Sequence, residues 1–173
     1  MGEIENLHPL IIFYYASSIF LIDSSRDEDL SYASSLFEQV YLLNKNKLQP
    51  LYNMIAISFK TRVFKNVLSL ALDAYEKNKQ DTKLIEGLAR INFYLGNRKN
   101  SLEFFRMLYK ILPEKTEGRL PFITSLNYTS GIKQEEYLEE CKKYTSLIEQ
   151  KLDLNNDDFD FNYKKKDKIK LAF

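Results

Sequence analysis

The sequence predicts an all-helical chain of stacked helical hairpins, and three observations carry that prediction. Five Gly and four Pro in 173 residues are too few for the tight turns that a β-rich fold of this length needs. Apolar residues recur at helical spacing, as in the stripe Tyr137, Leu138, Cys141, Tyr144, Leu147 and Ile148. A unit of about 34 residues, Asp81 to Glu114, also returns in looser copies earlier in the chain. At 45% hydrophobic and 14% aromatic residues, the chain has enough apolar surface for a core without staples.

Composition removes several function classes. A formal net charge of +1 gives no overall field for a phosphate backbone or an anionic bilayer, so neither nucleic acid nor membrane is an expected partner. One Cys and one His supply neither a disulfide framework nor an ordinary zinc site, and no metal site is expected. The lone Cys fits a reducing, cytoplasmic location. No Gly-rich phosphate loop is present, and the acid pairs Glu135-Glu136 and Asp157-Asp158 read as solvated surface. No catalytic residue and no cofactor are assigned to this chain.

Taken in order, the first hairpin begins at Pro9. Leu7 to Ile22 is the most apolar stretch; its acidic flank and its length, below the roughly 20 residues of a span, predict a buried first helix rather than an anchor. His8 reads as a cap or surface residue. Ala16 is the small residue of the first helix, Ala33, Phe37 and Val40 mark the second, and an insertion of about five residues near Ser24 to Glu28 lengthens the joint. A second copy runs from about Gln49 to Gln80. Tyr52, Ile55 and Ala56 repeat Ile85, Leu88 and Ala89 at a spacing of 33, which assigns a missing residue to the turn near Arg62-Val63.

The third copy is the clearest. Leu88 and Ala89 lie midway along its first helix, where a small Ala lets the second helix cross close by. Gly96 tolerates the left-handed backbone of a tight helix end. Ser101, Phe105 and Leu108 fill the gap from the second helix, and Pro113 closes it. These residues at this spacing resemble the tetratricopeptide repeat, with Ile85 and Asn92 replacing two aromatic core positions of the family. Residues 1–114 are therefore read as degenerate tetratricopeptide-like repeats.

From Arg119 the pattern changes. An apolar helix from Leu120 to Tyr128 carries Pro121 in its first turn and stops at Ser130-Gly131. A second helix runs from about Gln134 to Leu152, with acids early and bases late as the helix dipole favours. Ser125-Leu126-Asn127-Tyr128, the Ser-Gly turn, Glu135 to Glu140 and Lys142-Lys143-Tyr144 resemble the junction of O-linked N-acetylglucosamine transferases and SPINDLY-like relatives. There, such a helical pair joins the repeats to a catalytic region that uses a nucleotide sugar. Cys141 stands where that family usually carries His. The resemblance implies a junction pair over residues 115–152. It makes 153–173 a linker and the strand-like start of a catalytic domain that this chain lacks.

The expected activity is therefore binding. The chain alone is expected to catalyse nothing; a nucleotide sugar is implied only for a longer parent, and the alternative is a stand-alone adaptor. The first helices of a repeat stack line a concave face suited to a protein or peptide. By the repeat spacing Asn53, Ile57, Lys60, Lys83, Glu86, Arg90 and Phe93 point toward it. Met54 and Gly87 occupy the positions where the resembled transferases carry a backbone-clamping Asn ladder.

Overall fold

A computed structural model describes residues 7–22, 26–116 and 118–152, and the expected strand-like run lies outside them. Among the described residues all regular structure is helical: α1 (Pro9–Leu21), α2 (Asp27–Leu43), α3 (Gln49–Thr61), α4 (Lys65–Lys77), α5 (Thr82–Tyr94), α6 (Arg98–Ile111), α7 (Arg119–Asn127) and α8 (Gln134–Leu152). Short joints fold them into four successive hairpins. The result is the tetratricopeptide-like helical solenoid that the repeats predict.

Local chemistry sets the ends. His8 Nδ1 accepts from Leu10 N at 3.3 Å and Pro9 opens α1, so the only His is a helix cap. Asp27, Glu28 and Asp29 place negative charge at the amino end of α2. Asp81 Oδ1 accepts from Leu84 N at 2.9 Å and caps α5. Gly96 turns between α5 and α6 at φ 80°, and Gly131 does the same between α7 and α8 at φ 85°. Arg62 makes the equivalent turn after α3 at φ 60°, a left-handed conformation that costs a non-Gly residue about 1–2 kcal/mol.

Burial fixes the repeat length. Leu51, Met54, Ile55, Ile57 and Ser58 of α3 are buried, and so are Ile85, Leu88, Ala89, Ile91 and Asn92 of α5, each 34 residues later. Arg119, Phe122, Ile123, Ser125 and Leu126 of α7 are buried a further 34 residues on. The second helices keep the same step, from Val67, Ala71 and Ala74 to Ser101, Phe105 and Leu108. The expected spacing of 33, with a residue missing near Arg62-Val63, is thus corrected: the second copy is full length. Ala89 corresponds to Ile55, not to Ala56. Room for the larger Ile55 comes from the neighbouring helix, where a Cβ added to Gly87 would meet Ile55 Cδ1 and Cγ2 at 3.1 Å each.

The insertion in the first hairpin divides between two places. α2 starts three residues further ahead of Ala33 than α6 does of Ser101, adding most of a helical turn. Two further residues lengthen the joint. The reading of α1 as a buried helix is also corrected. It buries Ile12 and Ala16, while Leu10, Ile11, Tyr14 and Leu21 stay exposed, because among the described helices α1 packs chiefly against α2. No helix among the described residues is long and apolar enough to cross a membrane.

Two cores meet at α5. Leu84, Leu88 and Ile91 face a core shared with α1 to α4, centred on the fully buried Phe37. Ile85 and Ala89 face a second core with α6 and α7, centred on Phe105. Asn92 is buried where an apolar ring is usual, yet its polar atoms are satisfied. Its Nδ2 donates to Leu88 O at 2.9 Å, and its Oδ1 accepts from Asn97 Nδ2 at 3.3 Å. Arg119, 5% exposed, occupies the position equivalent to Ile85. Its guanidinium stacks 4.7 Å from the Tyr109 ring centroid, donates to Pro113 O at 2.7 Å and pairs with Glu140 at 3.0 Å. This pair ties α7 to α8, which buries no residue fully.

Candidate functional site

The first helices of the second, third and fourth hairpins stand side by side and enclose two linked grooves. The groove between α3 and α5, about 180 Å³, is lined by Tyr52, Ile55, Ala56 and Phe59 from one wall and Lys83, Glu86, Gly87 and Arg90 from the other. The next, about 220 Å³, lies between Arg90, Phe93 and Tyr94 of α5 and Leu120, Pro121 and Thr124 of α7. Arg90 belongs to both, so the two form one continuous face. Its floor is Ile55, Ala56 and Gly87, and the Ile55 side chain fills the space in front of Gly87.

Cations lie over aromatic rings along this face. Lys83 Nζ sits 5.2 Å from the Tyr52 centroid, Arg90 Cζ 4.5 Å from Phe59, and Lys60 Nζ 5.2 Å from Phe20 of α1. Toward the carboxyl ends of the helices, Arg62 Cζ lies 4.7 Å from Tyr94 and Arg98 Cζ 4.0 Å from Phe93. Each such contact contributes about 0.5–1 kcal/mol at an exposed site and holds a long side chain in a fixed orientation. The groove wall contains one carboxylate, Glu86. It pairs with Lys115 and lies 4.0 Å from Arg90, so positive charge dominates the face.

Hydrogen bonds fix the aromatic wall. The Tyr52 hydroxyl donates to Asp81 Oδ2 at 2.5 Å, so one carboxylate both caps α5 and anchors α3 against it. Burial, then the bond to Asp81 and that carboxylate's charge, push the Tyr52 phenol well above its ordinary pKa. Tyr94 moves the other way, because its hydrogen bond to Arg62 and the charges of Arg62 and Arg90 favour the phenolate against desolvation.

Of the residues expected on this face, Lys83, Glu86 and Arg90 line the α3/α5 groove and Phe93 joins Arg90 in the α5/α7 groove. Lys60 is exposed and turns toward Phe20. Ile57 is 1% exposed and belongs to the core, which corrects its placement. Asn53, half-buried, corresponds to Gly87 by the 34-residue step, on the flank turned toward the preceding hairpin; its Oδ1 accepts from Gln49 Nε2 at 3.0 Å. Asn53, rather than the buried Met54, is therefore the counterpart of Gly87 by the 34-residue step. Tyr52, Ala56 and Phe59 were missed on α3 for one reason. Stepping back 34 residues from Glu86, Arg90 and Phe93 reaches them, whereas a step of 33 reaches Asn53, Ile57 and Lys60.

Among the described residues, no group of three or more His, Cys, Asp or Glu side chains is arranged to hold a metal ion. Cys141 is half-buried on α8.

No protein-family model and no curated protein matches the sequence. Solved structures of MamA are similar in fold. The MamA RS-1 double mutant superposes with a TM-score of 0.72 at 14% identity, covering 86% of this chain and 79% of its own. A MamA crystal structure gives 0.71 at 13% identity over 84% and 81%, and MamA from Desulfovibrio magneticus RS-1 gives 0.67 at 13% over 86% and 78%. At such identity the likeness is one of architecture: this chain has the all-helical, tetratricopeptide-like fold of those structures.

Proposed function

We propose that this chain is a protein-interaction module that binds an extended peptide segment along the face formed by α3, α5 and α7. The observation that carries the reading is the continuous groove through Arg90, with Ile55, Ala56 and Gly87 as its floor and cations held on aromatic rings. Extended peptides gain from such a surface because the groove is already formed and the cationic side chains are already oriented. The test is fluorescence anisotropy with a randomised nonapeptide library on the full chain. Ala56→Trp and Thr124→Trp, which fill the two grooves, are expected to weaken the best binders at least about tenfold. Undiminished binding by both variants removes the reading.

A finer reading assigns the groove to delivery of acceptor proteins to a nucleotide-sugar-dependent transferase. What favours it is the resemblance over Ser125 to Tyr144, together with the helix, Gly131 turn and helix that α7 and α8 make there. The buried positions of α7 also follow the 34-residue step, which equally suits a fourth repeat in a stand-alone adaptor. Coding sequence downstream of Phe173 separates the two. The transferase reading predicts a Gly-rich two-Rossmann region, and its absence leaves the adaptor.

A further inference from the structure

We infer that the groove is matched to an acidic, aromatic segment, and that its occupant is the chain's own Asp157-Asp158-Phe159-Asp160-Phe161, docking in cis. The inference rests on the reading of this face as a peptide groove and adds the chemistry and the source of the peptide.

Charge is the first argument. Lys83 and Arg90 hold their charges on the α5 wall of the groove, while Glu86 is engaged by Lys115 and Asp81 by Tyr52 and Leu84 N. A peptide rich in Asp is therefore attracted, and a basic one is repelled. Pattern is the second. In an extended backbone, alternate side chains point to opposite sides, so Phe159 and Phe161 share one side and Asp158 and Asp160 the other. That arrangement suits a groove whose floor is Ile55, Ala56 and Gly87, whose α3 wall carries Tyr52 and Phe59, and whose α5 wall carries Lys83 and Arg90. The Lys164-Lys165-Lys166 run that follows opposes a slid register, because it would set cations against cations.

Position is the third. Near the end of α8, Lys151 Nζ donates to Thr116 Oγ1 at 2.5 Å. The neighbouring Lys115 reaches Glu86 on the groove wall. The chain therefore leaves α8 two side-chain lengths from the groove. Phe159 follows Lys151 by eight residues, which span up to about 26–29 Å when extended. The wall from Lys83 to Arg90 rises only about 10 Å, so the segment reaches it with slack. A short tether supplies an effective concentration of about 1 mM, so a segment of 100 μM intrinsic affinity fills its own groove at about ten to one.

The experiment uses a labelled peptide spanning residues 155–163 and two full-length proteins. One is the intact chain; the other carries Asp157→Asn, Asp158→Asn, Asp160→Asn, Phe159→Ser and Phe161→Ser. The altered chain is expected to bind the peptide about tenfold more tightly than the intact chain. Adding Lys83→Glu and Arg90→Glu is expected to abolish that binding, with Lys83→Gln and Arg90→Gln giving a smaller loss at unchanged circular dichroism. Equal affinity for both proteins, no binding by the altered chain, or binding that survives both charge changes overturns the proposal. So does a dimer of the intact chain that the altered chain does not form, since the segment would then sit on a second copy. If library peptides still bind and Ala56→Trp still blocks them, the peptide-groove reading survives a failure of the 155–163 peptide.

Discussion

Gly87 and Ile55 form a contact that a double-mutant cycle can isolate. In Gly87→Ala the new Cβ meets two Ile55 carbons at 3.1 Å, against the 3.5–4.0 Å of an optimal carbon pair. Ile55 is buried and must shift by a few tenths of an ångström, so the overlap costs about 1–3 kcal/mol. Replacing a mid-helix Gly by Ala returns about 1 kcal/mol. The net effect in the otherwise native chain is a loss of about 0–2 kcal/mol. In an Ile55→Ala background both close contacts vanish and only the helix term remains, so the same change stabilises by about 1 kcal/mol. The predicted coupling is therefore about 1–3 kcal/mol, read from urea unfolding of the four proteins at constant m. If Gly87→Ala stabilises both backgrounds equally, α3 and α5 do not approach as described, and the assignment of Ile55 to the small-residue position is wrong.

Two other changes probe the pairs that hold the face in place. Desolvation pushes the Glu140 carboxyl up, but its bonds to Lys143 and Arg119 outweigh this and hold it below the ordinary carboxylate range. Arg119→Met leaves Glu140 with Lys143 alone and is expected to cost about 2–3 kcal/mol, below the usual loss for a broken buried pair because Glu140 is 16% exposed. A depressed folded pKa means that this contribution is present above about pH 4.3 and lost as pH falls through the folded value. The gap between native and Arg119→Met stabilities should therefore narrow in acid, and a gap constant to pH 3 contradicts the assignment. Tyr52→Phe removes the bond to Asp81 and is expected to cost about 1.5 kcal/mol. Since the Tyr52 pKa is raised, that loss should be constant below about pH 10 and disappear as alkali ionises the phenol in the folded chain; a loss that persists through that titration refutes the pairing.

Much of the architecture was legible because its signals are local. Gly96, Ser101, Phe105 and Pro113 each serve a conformational or packing need within one hairpin, so their spacing alone defines the third copy. The second copy slipped by one residue because Ala56 resembles Ala89 by type. The true counterpart is Ile55, and the space that admits it is created by Gly87 on another helix, which no local window contains. That slip carried into the candidate face, exchanging Tyr52, Ala56 and Phe59 for Asn53, Ile57 and Lys60. α1 defeated pattern reading differently. A helix with apolar residues on every side carries little periodicity, and its packing against α2 decides which side is covered. Arg119 was invisible as a core residue because its burial depends on Tyr109 and Glu140 from neighbouring helices.

On this reading the α3/α5/α7 face, and not the outer face, takes an extended peptide. The most direct measurement is anisotropy of the tightest library peptide against the full chain, against Lys83→Glu/Arg90→Glu and against Lys99→Glu/Lys110→Glu on the exposed side of α6. A loss of at least about tenfold is expected for the first pair, and no more than about twofold for the second. Equal losses from both pairs, or a loss confined to the outer pair, would contradict it.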